Sequence, residues 1–260
     1  MLQIKNLRVE YESDNKIITA VDGINLTIEE KQIVGLVGGS GCGKSTVALS
    51  ILNLIEKPGR IAGGQILWDG KDLLKMGSDE IRKVRGSQIS MIFQDPFSSL
   101  NPVFTVGDQI SETIRYHEGL GKRSALLRAQ ELLSDVMIDN PALRLKQYPH
   151  ELSGGMLQRV MIAMAIACGP KLLIADEPTT SLDVTVQSEI LQLMIDLKNN
   201  LGLGILFITH NLASVAEICD LVAVMKDGRI VEQSDVFKIF EKPASDYTKE
   251  LLKAVPKLKC

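Results

Sequence analysis

The chain has 260 residues, 45% of them hydrophobic, which is enough to bury a sizeable core in one large α/β domain or a domain carrying a smaller inserted one, and two independent domains are not expected. With a formal charge of -3 nothing suggests a binder of the nucleic-acid backbone, although the charge leaves room for local basic patches, and no nucleic-acid partner is expected. The cysteines, Cys42, Cys168, Cys219 and Cys260, form no CxxC pair and no metal-ligand spacing, and they read as reduced thiols of a cytosolic protein.

Residues 1–10 alternate polar and apolar side chains like a strand and lack the apolar core of a signal peptide. A second strand region, 17–28, is punctuated by Asp22-Gly23, and residues 64–70 read as a short strand ending in an Asp-Gly turn, so an antiparallel β layer is expected here. Between these regions, Ile33-Val34-Gly35-Leu36-Val37 is an aliphatic run without alternation, as suits a strand buried on both faces of a parallel sheet. It is followed at once by Gly38-Gly39-Ser40-Gly41-Cys42-Gly43-Lys44-Ser45-Thr46, which fits GxxxxGK[ST]. Glycines let successive amides turn inward on phosphate oxygens, and the helix expected from about Lys44 adds the positive end of its dipole. Lys44 then reaches the β and γ phosphates of a nucleoside triphosphate, and the Ser45 hydroxyl is a ligand for Mg²⁺. A glycine-rich turn with no ligand shares this composition, but the strand before and the helical pattern after favour the phosphate loop. The motif by itself names no reaction.

From residue 96 to residue 153 strand signals vanish and amphipathic helix takes over, as in 124–138, where Leu126, Leu127, Leu132, Leu133 and Val136 repeat on one face. This stretch reads as a helical insertion within the α/β core. The longest apolar run, 160–168, is far short of the roughly 20 residues that span a membrane, so membrane attachment is expected through a partner. Leu172-Leu173-Ile174-Ala175-Asp176-Glu177 is a buried strand ending in two carboxylates, where ligands of open α/β sheets collect. Successive side chains leave a strand in opposite directions, so Asp176 is placed for the Mg²⁺ shell while Glu177 accepts a proton from the water attacking the γ phosphate. Residues 205–208 read as a third buried strand. Strands at 221–225 and 229–231, joined by Asp227-Gly228, precede helices near 235–240 and 247–254, and 253–260 is a short basic tail.

Leu152-Ser153-Gly154-Gly155-Met156-Leu157-Gln158-Arg159 resembles the signature of ATP-binding cassette (ABC) proteins. Physically, Ser153 caps the helix that follows, and the two glycines leave its first amides bare for a phosphate. Other elements are similar to that family in the same order: Tyr11 to the aromatic on which adenine stacks, Gln94 to the Q-loop glutamine that touches Mg²⁺ or the attacking water, Ser181-Leu182-Asp183 to the D-loop, and His210 to the switch histidine at the γ phosphate. The match covers residue 1 to about residue 232. It implies a P-loop NTPase core with a mostly parallel sheet, an antiparallel β layer and an inserted α-helical subdomain. The core domain is expected over 1–240, the helical subdomain over roughly 97–160, and a short helical tail over 241–260. Resemblance also implies a head-to-tail dimer in which each ATP lies between Gly38 to Thr46 of one cassette and Ser153, Gly154, Gly155 and Asp183 of the other.

Within the family, Gln94-Asp95-Pro96-Phe97-Ser98-Ser99-Leu100-Asn101-Pro102, the EPTTSLDVTVQ segment from Glu177 and the YTKELLKAVP segment from Tyr247 look like ATPases of peptide and nickel importers. Such proteins hydrolyse ATP at the cytoplasmic face of the membrane beside two permease subunits, with a second ATP-binding subunit, homologous or another copy, and an extracytoplasmic solute-binding protein. Met156 and Leu157 depart from the commoner signature and are similar to the nickel branch. Relatives with a cysteine-rich extension carry an iron-sulfur cluster; one Cys260 cannot hold it, and none is expected. Two rivals are a soluble ABC ATPase acting on nucleic acid, which usually has long coiled coils or two cassettes, and the ATPase of an exporter, which the importer-like segments argue against.

Overall fold

A computed structural model describes residues 1–13, 16–180 and 182–253. The chain begins with strands β1 (Leu2–Ser13), β2 (Lys16–Ile28) and β3 (Ile33–Val37), helix α1 (Lys44–Ile51), strands β4 (Gly59–Trp68) and β5 (Lys71–Asp72), and helix α2 (Ser78–Val84). Strand β6 (Ile89–Ile92) leads into helices α3 (Pro96–Ser99), α4 (Val106–Glu118), α5 (Lys122–Asp135), α6 (Pro141–Arg144) and α7 (Gly154–Ile166). Then follow β7 (Leu172–Asp176), α8 (Val184–Leu201), β8 (Gly204–Thr209), α9 (Leu212–Ile218), β9 (Leu221–Lys226), β10 (Arg229–Asp235), α10 (Val236–Glu241) and α11 (Asp246–Lys253). Contacts divide the chain into two compact units, one of Met1–Arg82 with the chain from Gly202 onward, the other of Lys83–Leu201.

In the first unit, an antiparallel sheet has the order β2-β1-β4-β5. The expected break at Asp22-Gly23 is absent: β2 runs through it. Leu7 pairs with Ile24 and Arg8 with Asp22, so Gly23, at φ 73°, is the extra residue of a bulge. The strand expected at 64–70 is the second half of the longer β4, and Trp68 packs in the core at 3% exposure. Its closing turn, Asp69-Gly70, is as expected, both residues having positive φ. Strand β3, which precedes the glycine-rich loop, lies between β8 and β9 and is parallel to both, with all five residues buried. β9 and β10 form an antiparallel hairpin through Asp227 and Gly228, also at positive φ.

In the second unit, β6 and β7 are parallel, Ile89 opposite Leu172 and Ile92 opposite Ala175. Thr105 starts α4 by accepting from the Asp108 amide at 3.2 Å, and Gly119 ends it in the left-handed conformation. The helix expected at 124–138 runs from Lys122 to Asp135. Its face Ala125, Ala129, Leu132 and Leu133 is buried, while Leu127 stays exposed. Helix α7 packs against α4, α5 and β6, and Leu157, Val160, Ile162 and Ala163 along it are fully buried, while Met164 is half-buried. Those buried residues are the core of this unit, and among the described residues no helix is long and apolar enough to cross a membrane.

Candidate functional site

In the first unit the chain leaves β3 at Val37, turns through the glycine-rich loop and enters α1 at Lys44. Gly43 precedes the helix at φ 104°, a conformation that excludes a side chain, and a Cβ there would also collide with the Ala20 carbonyl. At Gly38 the loop passes so close to β9 that a Cβ would overlap the Met225 carbonyl. The Gly228 amide donates to the Cys42 carbonyl at 3.1 Å, which ties the far side of the loop to the β9-β10 turn. Ser40, Gly41 and Ser45 are exposed; Thr46, on α1, accepts from the Ser50 hydroxyl through its carbonyl at 2.7 Å.

Lys44 is 5% exposed, and its ammonium donates to the Gly38 and Gly39 carbonyls at 3.0 Å each. These two bonds replace much of the water that a buried cation gives up. The charge is thus fixed inside the loop. Burial pushes the neighbouring Cys42 thiol up, with the Lys44 charge opposing the shift, so Cys42 is a neutral, packed wall residue.

His210 follows β8. Because Val37 is opposite Thr209 in the parallel β3-β8 pair, the glycine-rich loop and His210 begin at the same end of adjacent strands. Asn211, next to it, caps α9 by accepting from the Ala213 amide at 3.0 Å. Tyr11 lies elsewhere in the same unit, on β1 opposite Ile18 and Gly59. It lines a cavity of about 350 Å³ with Glu10, Glu12, Ile17, Pro58 and Arg60, none of them a loop residue.

In the second unit, the parallel pairing of Ile92 with Ala175 brings out the residues after β6 and β7 together. Gln94 Nε2 donates to Glu177 Oε2 at 3.2 Å, and the Thr180 hydroxyl donates to the same oxygen at 2.9 Å. Asp176 ends β7 at 4% exposure. Glu177 is not on the strand: at φ 49° it begins a turn closed by the Thr180 amide on its carbonyl at 3.2 Å. The sequence expectation that both acids sit on the strand and part by its alternation therefore does not apply to Glu177, whose backbone has already left the strand. Thr180 had no sequence signal of its own.

The signature segment and the D-loop residues meet in this unit. Ser153 is the N-cap of α7, accepting from the Met156 amide at 3.4 Å, and Asp183 caps α8 by accepting from the Val186 amide at 3.0 Å. Gly155 lies so close to α8 that a Cβ would sit 2.6 Å from Val186 Cγ1, while a Cβ at Gly154 would be in ordinary contact with Leu182. Behind them Arg159, 8% exposed, donates to the Val136 carbonyl and to Glu189, each at 2.8 Å. Ser181, and Cys260 with the rest of 254–260, lie outside the described residues.

Residues 21–180 match the family model for ABC transporter. The chain is 48% identical over 257 residues to the probable peptide ABC transporter ATP-binding protein y4tR of Sinorhizobium fredii, covering 98% of this chain and 77% of that protein. It is 47% identical to the dipeptide transport ATP-binding protein DppD of Escherichia coli, with 98% and 78% covered. Among solved structures it is similar to the dimeric post-hydrolysis state of the ATP-binding cassette MJ0796 bound to ADP and Pi, at TM-score 0.82, 28% identity, and 91% and 99% coverage. It is also similar to cbiO1 of Clostridium perfringens, part of the ABC transporter complex cbiONQ, at TM-score 0.79, 31% identity, and 93% and 91% coverage.

Proposed function

The chain belongs to the ABC transporter family, and from that premise we propose that it is the ATP-hydrolysing subunit of a peptide importer. The observation that carries the chemistry is the loop at 38–46, in which Lys44 is buried with its charge held by two loop carbonyls at the C-terminal end of a parallel strand. Near-full-length similarity to proteins named for peptide transport favours peptides over nickel, despite Met156 and Leu157, and favours neither an exporter nor a nucleic-acid ATPase.

In this reading Gly38 to Thr46 receive the phosphates and Tyr11 receives the adenine. Glu177 accepts a proton from the attacking water, Gln94 positions both, and His210 contacts the γ phosphate. Ser45, Asp176 and Gln94 would hold Mg²⁺. All three offer hard oxygen donors, and since Gln94 Nε2 is committed to Glu177, its Oε1 is the atom with lone pairs for a cation. The ion, when bound with ATP, would offset phosphate charge. Ser153, Gly154, Gly155 and Asp183 then serve the nucleotide of a second cassette, homologous or another copy.

The remaining partners are two permease subunits and an extracytoplasmic solute-binding protein, with the ATPase peripheral on the cytoplasmic face of the membrane. We place the permease contact on the helical segment 97–160. There Leu126, Leu127 and Leu145 line a cavity of about 750 Å³ between α4, α5 and α6, rimmed by Arg123, Lys146 and a Lys122–Asp108 ion pair at 3.5 Å, which suits an amphipathic segment.

Glu177→Gln tests the catalytic assignment, because it keeps the shape and removes the base. ATP binding by calorimetry stays within about twofold while steady-state turnover falls at least ~100-fold. Hydrolysis at the parental rate would overturn the assignment.

A further inference from the structure

The last helix reaches back to the phosphate loop. The Tyr247 hydroxyl oxygen, on α11, accepts a hydrogen bond from the Gly39 amide at 3.1 Å, across 208 residues of sequence. The Lys226 ammonium lies 4.7 Å from the centre of the Tyr247 ring, over its face, and Lys226 follows Met225, whose carbonyl abuts Gly38. The start of α11 is pinned independently. Glu232, on β10, accepts from the Ala244 and Ser245 amides at 2.8 and 3.0 Å, Lys249 pairs with Asp246 at 2.8 Å, and Thr248 is fully buried. Burial alone would raise the Glu232 carboxyl, but the hydrogen bonds it accepts, that of the Ala244 amide foremost, together with the Lys249 charge, hold it below its usual range, so it remains an anionic acceptor at neutral pH. A strand, a carboxylate and a helix thus fix where the phenol sits, and the phenol fixes one amide of the loop.

That amide belongs to a segment with glycines at 38, 39, 41 and 43. Such a segment loses more backbone freedom on ordering than any other composition, and the loss weakens whatever ligand imposes the order. An acceptor supplied from outside the loop removes part of that cost before the ligand arrives.

We propose that Tyr247 is a positioning residue for nucleotide binding: through the Gly39 amide it straps the first half of the phosphate loop into its binding shape. The proposal rests on the ATP reading above but touches neither the γ phosphate nor the attacking water. Tyr247 therefore acts on affinity and leaves the chemical step unchanged.

Tyr247→Phe in the full chain deletes the acceptor and keeps the ring under Lys226. The dissociation constants for ATP and for ADP rise about fivefold, the worth of one neutral hydrogen bond, and KM follows while kcat stays within about twofold. In amide-exchange NMR the Gly39 proton exchanges about tenfold faster, with the melting temperature within about 2 °C of the parent. Unchanged nucleotide affinity with unchanged Gly39 exchange overturns the strap, and so does an affinity loss that merely tracks a lower melting temperature. Lys44→Ala is the control that separates the two readings. If the parent and Lys44→Ala bind ATP equally poorly, the nucleotide assignment has failed, and Gly39 exchange in Tyr247→Phe alone then upholds or overturns the strap.

Discussion

At the scale of single residues, local surroundings decide the charge state of each group. Cys42 and Cys168 are both thiols held neutral by burial, the second pushed up to about 11, mainly by burial and further by the nearby Glu118 charge. Cys168 also has the Thr113 carbonyl at 3.8 Å. Since the folded state raises this pKa above the unfolded value, the folded chain favours the thiol. That preference is intact below about pH 9 and is lost as the pH rises through about 11. Alkylation of Cys168 by iodoacetamide, followed by peptide mass mapping, should have its half-maximal rate near pH 11 in the folded chain and near pH 9 in denaturant; a common midpoint would contradict the burial argument. Glu177 shows a different local economy. Its positive φ is uncommon for a glutamate and costs on the order of 1 kcal/mol, and the hydrogen bonds from Gln94 and Thr180 to one of its oxygens help hold that conformation.

Among elements, the helices α7 and α8 meet at Gly155, where close packing on Val186 requires a residue without a side chain. Gly155→Ala forces Val186 aside and destabilises the fold by about 1–3 kcal/mol in urea unfolding, and Val186→Ala added to it recovers part of the loss. Additive effects of the two changes would show that the contact does not couple the helices. Much at this scale was legible in the sequence. The unbroken runs of β3, β7 and β8 announced strands buried on both faces, and Ser153 announced the start of α7. The Asp-Gly pair at 22–23 misled because the same dipeptide serves a turn or a bulge, and only the partner strand distinguishes them. Glu177's left-handed backbone carried no signal because glutamate is not a residue that marks such a conformation. Tyr247 on Gly39 was illegible because the contact spans 208 positions and uses a main-chain donor, which every residue but proline has.

For the molecule as a whole, each of the two units ends a helix N-terminus in exposed residues: Ser45 at α1 in one, Ser153 at α7 in the other. A triphosphate carries more negative charge than Lys44 and one helix dipole offset, so on the proposed reading a second cassette supplies the additional positive end. In sedimentation, Glu177→Gln with Mg²⁺ and ATP should double its apparent mass, while ADP leaves it monomeric; a monomer under saturating ATP would remove the shared-site model. The order in which the units are threaded has its own consequence. β3 ends at Val37, yet its partner strands β8 and β9 begin at Gly204 and Leu221. A ribosome adding roughly 5–20 residues per second therefore leaves this aliphatic strand without its neighbours for about 10–30 seconds, an interval in which nascent chains must be shielded from one another.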